Sequence, residues 1–466
     1  MRVLNAATDE QVNGRVSRIA EMKVLRAHYY FELSRLFNKI PYFDENVEIS
    51  QYPDIPNNEF TRDEILSMLA KEMLDAAELL PASQSEVGRI HKYIALAYAA
   101  KIKLYQAYQQ DETTHAVTSI NKELLREVVS LCDQVTASNR YGLLDDFQGL
   151  DLVANENGKE SVFAIQYSMN DGTESAGRIN WSNLLNSPGG GSPYGGDGFF
   201  LPSQDLINAY QTDANGLPDF NYQSKSDYSW AVLNNGVYTL QNTTPNVDPR
   251  LDFVVGRPTI TWKTYPDKPC EGWVRDKETY GYNCAKRFWV SPESSDMFNG
   301  WPWGASQLNW QIIRYADILL WKAEALIELN EGNGLETARD LINQIRNRAR
   351  NSAYVKDFND HSNYAANYLV NPYPADVWNQ DYARQALRWE TRLEKALEGE
   401  RFFDLVRWGI VETTMNKYIA AESDNRIYYA NAHFTGGKDE YYPVPNNQYG
   451  FSGGKYVQNP GYAPFN

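Results

Sequence analysis

Apolar residues recur at helical spacing near both ends of this 466-residue chain and lose that period for about 170 residues between them. Ile65, Leu69, Met73, Ala76 and Leu80 mark one face of a helix over 61–80, which opens on Thr61-Arg62-Asp63-Glu64, a capping box, and stops at Pro81. A second helix follows over about 86–109, with Ile90, Ile94, Ala97, Leu104 and Tyr108 aligned. The short link through Pro81, Ala82 and Ser83 makes the two an antiparallel hairpin. One long helix or two should cover about 9–37, ahead of Pro41, and another about 121–136.

The pattern returns over 311–330, where Ile312, Ala316, Leu319, Ala323 and Ile327 form a stripe, with Trp310 opening that helix as a core residue. Gly332 and Gly334 interrupt it before 335–350, and two further helical segments span about 380–398 and 400–420. Paired helices of this length resemble tetratricopeptide-like units, which bury their apolar faces by stacking; the strict repeat signature is absent, so the units are degenerate. The fold class is mainly α.

Between the helical ends, Ser161 to Tyr167 reads as a strand and Phe253-Val254-Val255 as another. Ser187 to Gly198 is a loop rich in Gly and Pro; Gly189-Gly190-Gly191 within it does not join a strand to a helix, so it reads as a flexible loop rather than a phosphate cradle. A loop block this long must lie against the helices to be ordered. The expected organisation is one domain, 1–466: hairpins over about 9–136 and 311–420, a ligand-binding loop block over about 140–310, and an irregular segment 421–466.

That block holds the chain's most unusual composition. Six of the twelve Trp fall between 262 and 310, among Tyr, Pro and Gly and with few aliphatic neighbours. Rings carried on loops suit a binding face, because they offer area at small entropic cost. Trp273, Trp301 and Trp303 are the leading candidates for an aromatic platform, followed by Trp262 and Trp289, and Lys263, Arg275 and Asp276 are the polar partners. Each Trp also has a core reading, and Trp289, within Lys286-Arg287-Phe288, could equally pack beneath the loops. A net charge of −16 disfavours nucleic acid and anionic lipid, which leaves a neutral ligand as the best fit.

Catalytic signatures are missing. The five His show no zinc spacing, and there is no GxSxG, GxxxxGK or dinucleotide fingerprint. No metal or other cofactor is expected; Asp213, Asn215, Asp219 and Asn221 could hold Ca2+, although their spacing misses the EF-hand and suits a turn. The competing reading is a glycoside hydrolase with a carboxylate pair drawn from Asp267, Glu271, Asp276, Glu278, Glu293 and Asp296. Glu394 and Glu398 could also be read as an acid/base pair, but each has Arg neighbours that would keep it ionised. Cys270 and Cys284 are spaced either to pair or to stand as two thiols, and Cys132 reads as a small buried hydrophobe.

The stretch from Arg392 to Gly409, RLEKALEGERFFDLVRWG, resembles the C-terminal signature of the SusD/RagB family, surface glycan-binding lipoproteins of Bacteroidetes-type bacteria. Leu25 to Phe31, Ile40-Pro41, Gly88-Arg89, Asp248-Pro249-Arg250-Leu251, Ile313 to Asp317, Ala323-Glu324-Ala325, Ile345 to Ala349 and Tyr442-Pro443-Val444-Pro445 resemble further family motifs, in order along nearly the whole chain. The resemblance implies a SusD-like fold and non-catalytic binding of oligo- or polysaccharide. It also implies delivery to a SusC-like TonB-dependent transporter and an outward-facing, lipid-anchored place on the outer membrane. Family sites draw on the loop after the first helices, which adds Tyr42 and Tyr52 to the candidates. Neither a signal peptide nor a lipid-bearing Cys near the start is found in this chain, Cys132 lying far too late.

Overall fold

The apolar period translates into helices with shifted ends, and the segment expected over about 400–420 is divided in two. The chain was analysed as a computed structural model, which describes all residues except 174–176, 229–230, 236, 241–244, 267–271, 301–303 and 466. The first helical stretch is one long helix, α2 (Arg15–Phe37), that starts after Gly14 in the left-handed region, and a separate turn, α1 (Arg2–Ala6), precedes it. The hairpin is α3 (Arg62–Leu79) and α4 (Lys92–Ala107). The Thr61 side chain accepts from the Glu64 backbone N–H while the Glu64 carboxylate accepts from the Thr61 N–H at 2.8 Å, so the capping box forms. Residues 86–91 belong to the connecting turn, closed by the Lys92 N–H donating to the Pro81 carbonyl at 2.9 Å. At its other end α4 passes into β1 (Tyr108–Gln110), antiparallel to β2 (Val117–Ile120), and α5 (Lys122–Ala137) follows with Cys132 buried.

The loop block contains β3 (Ser161–Ile165), α6 (Gln204–Ala209), the hairpin β4 (Ala231–Asn234) and β5 (Val237–Leu240), α7 (Arg250–Val254), β6 (Val255–Gly256), α8 (Lys277–Tyr280) and β7 (Cys284–Ala285). Phe253 and Val254 are helical, which corrects the strand expected there; only Val255 and Gly256 pair, with β7. The block closes on β8 (Trp310–Arg314), antiparallel to β3 with Ile165 opposite Trp310 and Ser161 opposite Arg314. Trp310 is therefore a half-buried strand residue against Phe288 (ring centroids 4.8 Å apart), and the helix begins later, at Tyr315. Pairing β3 with β8 clamps the two ends of the loop block together at the edge of the helical array.

The C-terminal helices are α9 (Tyr315–Leu329), α10 (Gly334–Asn351), α11 (Gln380–Glu394), α12 (Arg401–Arg407), α13 (Val411–Glu422) and α14 (Asn446–Phe451). Helix α2 packs on α3, α3 on α4, α4 on α5, α5 on α9, and α9 on both α10 and α11. The two sets of hairpins thus share one apolar core, and the loop block is an insertion between neighbours in space. No described helix is long and apolar enough to cross a membrane.

The charged motifs meet beneath that insertion. Glu394 on α11 is buried and accepts from Arg314 of β8 (2.7 Å), from Arg250 of α7 (3.1 Å) and from Arg348 of α10. Arg250 also binds Asp248 (2.7 Å) and Glu390 (2.5 Å), and Arg314 binds Glu160 (2.9 Å) and Glu398 (2.9 Å). Removing one partner from such a buried set costs about 3–5 kcal/mol, so the network ties the loop block to α10 and α11. A second buried set holds α12: the Glu324 carboxylate accepts from Arg407 (2.7 Å), the Tyr108 hydroxyl (2.6 Å) and the Trp408 Nε1–H (2.8 Å).

Candidate functional site

Three of the candidate tryptophans turn inward. Trp262, Trp273 and Trp289 are buried with Tyr194 and Cys284 in a small core of their own. Tyr194 is its hub: ring centroids lie 6.1 Å from Trp262, 6.1 Å from Trp273 and 6.2 Å from Trp289, and Trp262 meets Trp273 edge-on at 4.8 Å. The Tyr194 hydroxyl accepts from Trp262 Nε1 at 3.0 Å and donates to the Val290 carbonyl at 2.6 Å, so it is paired in both senses. The expectation that these three rings form an exposed platform is corrected. Loops poor in Leu, Ile and Val still need an interior, and here the large rings supply it. Trp289 does pack beneath the loops. Trp301 and Trp303 lie outside the described residues, as does Cys270 of the suggested pair with Cys284.

Lys263 is likewise turned in. Its Nζ lies 3.2 Å from Asp151, whose other carboxylate oxygen accepts from Arg287 at 3.0 Å, and burial lowers the Lys263 ammonium pKa. Lys263 sits at φ +49° and Thr259 at +68°, left-handed positions that a β-branched residue rarely takes. Lys263 is thus engaged by Asp151, and its half-buried side chain also lines a cavity of about 660 Å³ with Asp146, Gln148, Asn155 and Thr264. Tyr42 packs on Tyr30 and Phe60, and Tyr52 stacks on Phe43 at 4.1 Å. These ring contacts stay between residues 30 and 60, so they do not bring either tyrosine to the Trp-rich loops.

Arg275 and Asp276 stay at the surface. The Asp276 carboxylate accepts from the Thr279 N–H at 3.1 Å, which caps α8 and lowers the carboxyl pKa. Arg275 donates to the Gly196 carbonyl at 3.1 Å and pairs with Asp197, both on the glycine-rich loop. That loop is bound rather than free. The Gly191 N–H donates to the Gly272 carbonyl at 3.0 Å, and at Gly190 (φ +60°) a side chain would collide with the same carbonyl.

Exposed apolar side chains flank the glycine-rich loop, outside the Trp-rich segment. Trp181 is 48% exposed, Leu185 56% and Phe199 71%. Trp181 and Leu185 share the 3-10 turn Trp181–Asn186, and the Phe199 N–H donates to the Leu185 carbonyl at 3.2 Å. The Gly198 N–H binds the Ser187 carbonyl (3.0 Å), which places Phe199 one residue beyond the loop that carries Asp197. The available sequence signal was aromatic residues flanking the glycine-rich loop, a weaker cue than a cluster of six Trp.

The carboxylates favour no acid/base chemistry in the C-terminal motif. Burial opposes ionisation of Glu394, but Arg348, Arg314 and Arg250 outweigh it and hold the carboxyl near 2; Glu398 is pulled below the ordinary range by Arg314, Lys395 and Arg287. Glu293 accepts from Thr264 and, at 2.7 Å, from Ser291, and its pKa is lowered. Asp267 and Glu271 lie outside the described residues. Of the oxygen-rich set, Asp213 accepts the backbone N–H of Asn215 (2.8 Å) and Leu217 (2.9 Å), and Asp219 pairs with Lys225; the carboxylates are turned into turn hydrogen bonds and an ion pair. Among the described residues no group of three or more His, Cys, Asp or Glu is placed to hold a metal.

A sequence profile described as the SusD family matches residues 159–462. The chain belongs to the SusD family. It is 23% identical over 431 residues to a SusD-like protein of Bacteroides ovatus, a match covering 87% of this chain and 62% of that protein's length. Two solved structures share the fold. A SusD-like carbohydrate-binding protein from Bacteroides fragilis has a TM-score of 0.65 at 20% identity, over 94% of this chain and 79% of its own. A surface glycan-binding protein A from Bacteroides thetaiotaomicron, in complex with laminarihexaose, has 0.61 at 18% identity, over 98% and 81%.

Proposed function

We propose that this SusD-family chain binds a neutral oligo- or polysaccharide without cleaving it, at the outward face of the outer membrane, and passes it to a SusC-like TonB-dependent transporter. The full-length form is taken to carry the lipid anchor. The observation that carries the binding reading is the exposure of Trp181 and Phe199, which flank in sequence the glycine-rich loop whose Asp197 pairs with Arg275. Sugar rings present C–H faces that stack on aromatic rings, while charged and amide groups nearby bond the hydroxyls. The buried Tyr194–Trp core acts as a pedestal that fixes those loops, so little ordering entropy remains to be lost on binding. No metal is needed in this reading.

Affinity-gel electrophoresis against a panel of neutral polysaccharides, laminarin included because a relative of this fold was captured with laminarihexaose, tests it directly. Retardation without new reducing ends supports the proposal. Released reducing ends would favour the glycoside hydrolase, and no retardation by any polymer would contradict binding.

A further inference from the structure

Among the described residues most buried and half-buried arginines are matched by carboxylates: Arg250, Arg257, Arg287, Arg314, Arg346, Arg348, Arg392 and Arg407 all form ion pairs. Arg401 is not. Among the described residues its guanidinium makes one long contact, 3.5 Å to the Arg388 carbonyl, and no ion pair. It lines a cavity of about 400 Å³, open to solvent, between the α11–α12 corner and α13. That size falls within the range of small-ligand pockets, about 300–1,000 Å³.

The walls suit an organic body and the floor suits an anion. Tyr418, Tyr429, Phe402, Met415 and Leu397 supply apolar and ring surface, and the Tyr418 and Tyr429 hydroxyls lie 3.2 Å apart. Arg392 also lines the cavity, but Asp205 (2.6 Å) and the Tyr222 hydroxyl (2.9 Å) already occupy it. Two further acids lie close by: Asp404, already paired with Arg407 at 2.9 Å, and Glu422, which accepts the Asp205 N–H at 2.5 Å; burial raises the pKa of both. Burial, then repulsion from Arg392, lowers the Arg401 pKa to about 9, so an incoming anion would relieve an unfavourable state. Leu397 adds a second mark: it sits at φ +66° in the turn between α11 and α12, and strained non-glycine positions gather at functional sites.

We propose that this cavity is a second binding site, separate from the aromatic face, for a small carboxylate carried on a ring, of which a hexuronic acid is the type, with Arg401 as counter-ion. The carboxylate would take a charge-assisted, two-pronged bond from the guanidinium while the ring lies against Tyr418, Tyr429 and Met415. An acetate ion has the charge without the body, and glucose the body without the charge; both should bind more weakly.

The test is calorimetric titration of the intact protein with D-glucuronate, D-galacturonate, D-glucose and sodium acetate. At least one uronate should saturate a single site, with glucose and acetate weaker by roughly tenfold or more, the value of one charge-assisted bond. Arg401→Gln should weaken uronate by a similar factor. Met415→Trp, which fills the cavity from α13 and leaves the arginine in place, should do the same if Arg401→Gln fails to fold. Neither variant should alter retention of a neutral polysaccharide. No uronate binding, glucose bound as tightly as uronate, or undiminished uronate binding in a folded variant would overturn the proposal.

Discussion

Glu394→Gln removes one negative charge from the centre of the buried network and almost nothing of its volume. Lowering a carboxyl from its ordinary 4.5 to near 2 corresponds to about 3 kcal/mol of stability at neutral pH. The cost of removing one partner from a buried pair, about 3–5 kcal/mol, gives the same size by a separate route. The contribution is complete above the unfolded-state value and disappears as pH falls through the folded one, because the unfolded chain then binds the proton first. The variant has lost it at every pH. Urea unfolding followed by tryptophan fluorescence should therefore show the variant less stable by about 3 kcal/mol at pH 7, with the gap narrowing to about 1 kcal/mol at pH 3. A glycan-binding assay on the folded variant should be unchanged. A variant as stable as the parent at pH 7 would refute the structural role assigned to this glutamate, and a gap independent of pH would refute its ionised state.

Other consequences can be checked with the same methods. Trp273→Ala should cost about 3–5 kcal/mol by opening a cavity in the ring core, and should weaken glycan retention through the loops it supports; an unshifted melting curve would contradict burial. Glu156 is pushed up to about 7 mainly by burial, so it is protonated in the folded state where the unfolded chain has ionised it. Stability should thus fall as pH rises from about 4.5 to 7, and Glu156→Gln should flatten that slope in a melting series; an identical slope in both proteins would contradict it. Trp301→Ala with Trp303→Ala is expected to reduce glycan retention without lowering the melting temperature, and unchanged retention would remove those residues from the site. Treatment with a chelator is expected to leave retention unchanged, and its loss would reveal a metal requirement.

The scaffold was legible because burial leaves a period. Ile65, Leu69, Met73 and Ala76 are all buried on α3 and the Thr61–Glu64 cap forms, since both depend on residues within a few positions of each other. Trp310 and Phe253 misled for the opposite reason. Whether Trp310 extends as a strand depends on β3, which lies about 150 residues away in the chain. The ring core shows the same limit: composition marked Trp262, Trp273 and Trp289 as special, but their direction was decided by Tyr194, a residue of another loop. The exposed rings Trp181 and Phe199 carry no periodic signal, because neither lies on a helix or strand long enough to repeat. Glu394 and Glu398 were readable as ion-paired groups, because the Arg pattern around them was visible in the chain.

The central claim is that buried rings hold an exposed aromatic face which takes the glycan. Its most direct measurement is the affinity of Trp181→Ala with Phe199→Ala for a polysaccharide that the parent retains, taken beside the melting temperature of both proteins. The expected result is loss of retention at a nearly unchanged melting temperature, since Phe199 is largely exposed and Trp181 about half exposed. Retention equal to the parent's in a folded double variant would contradict the account.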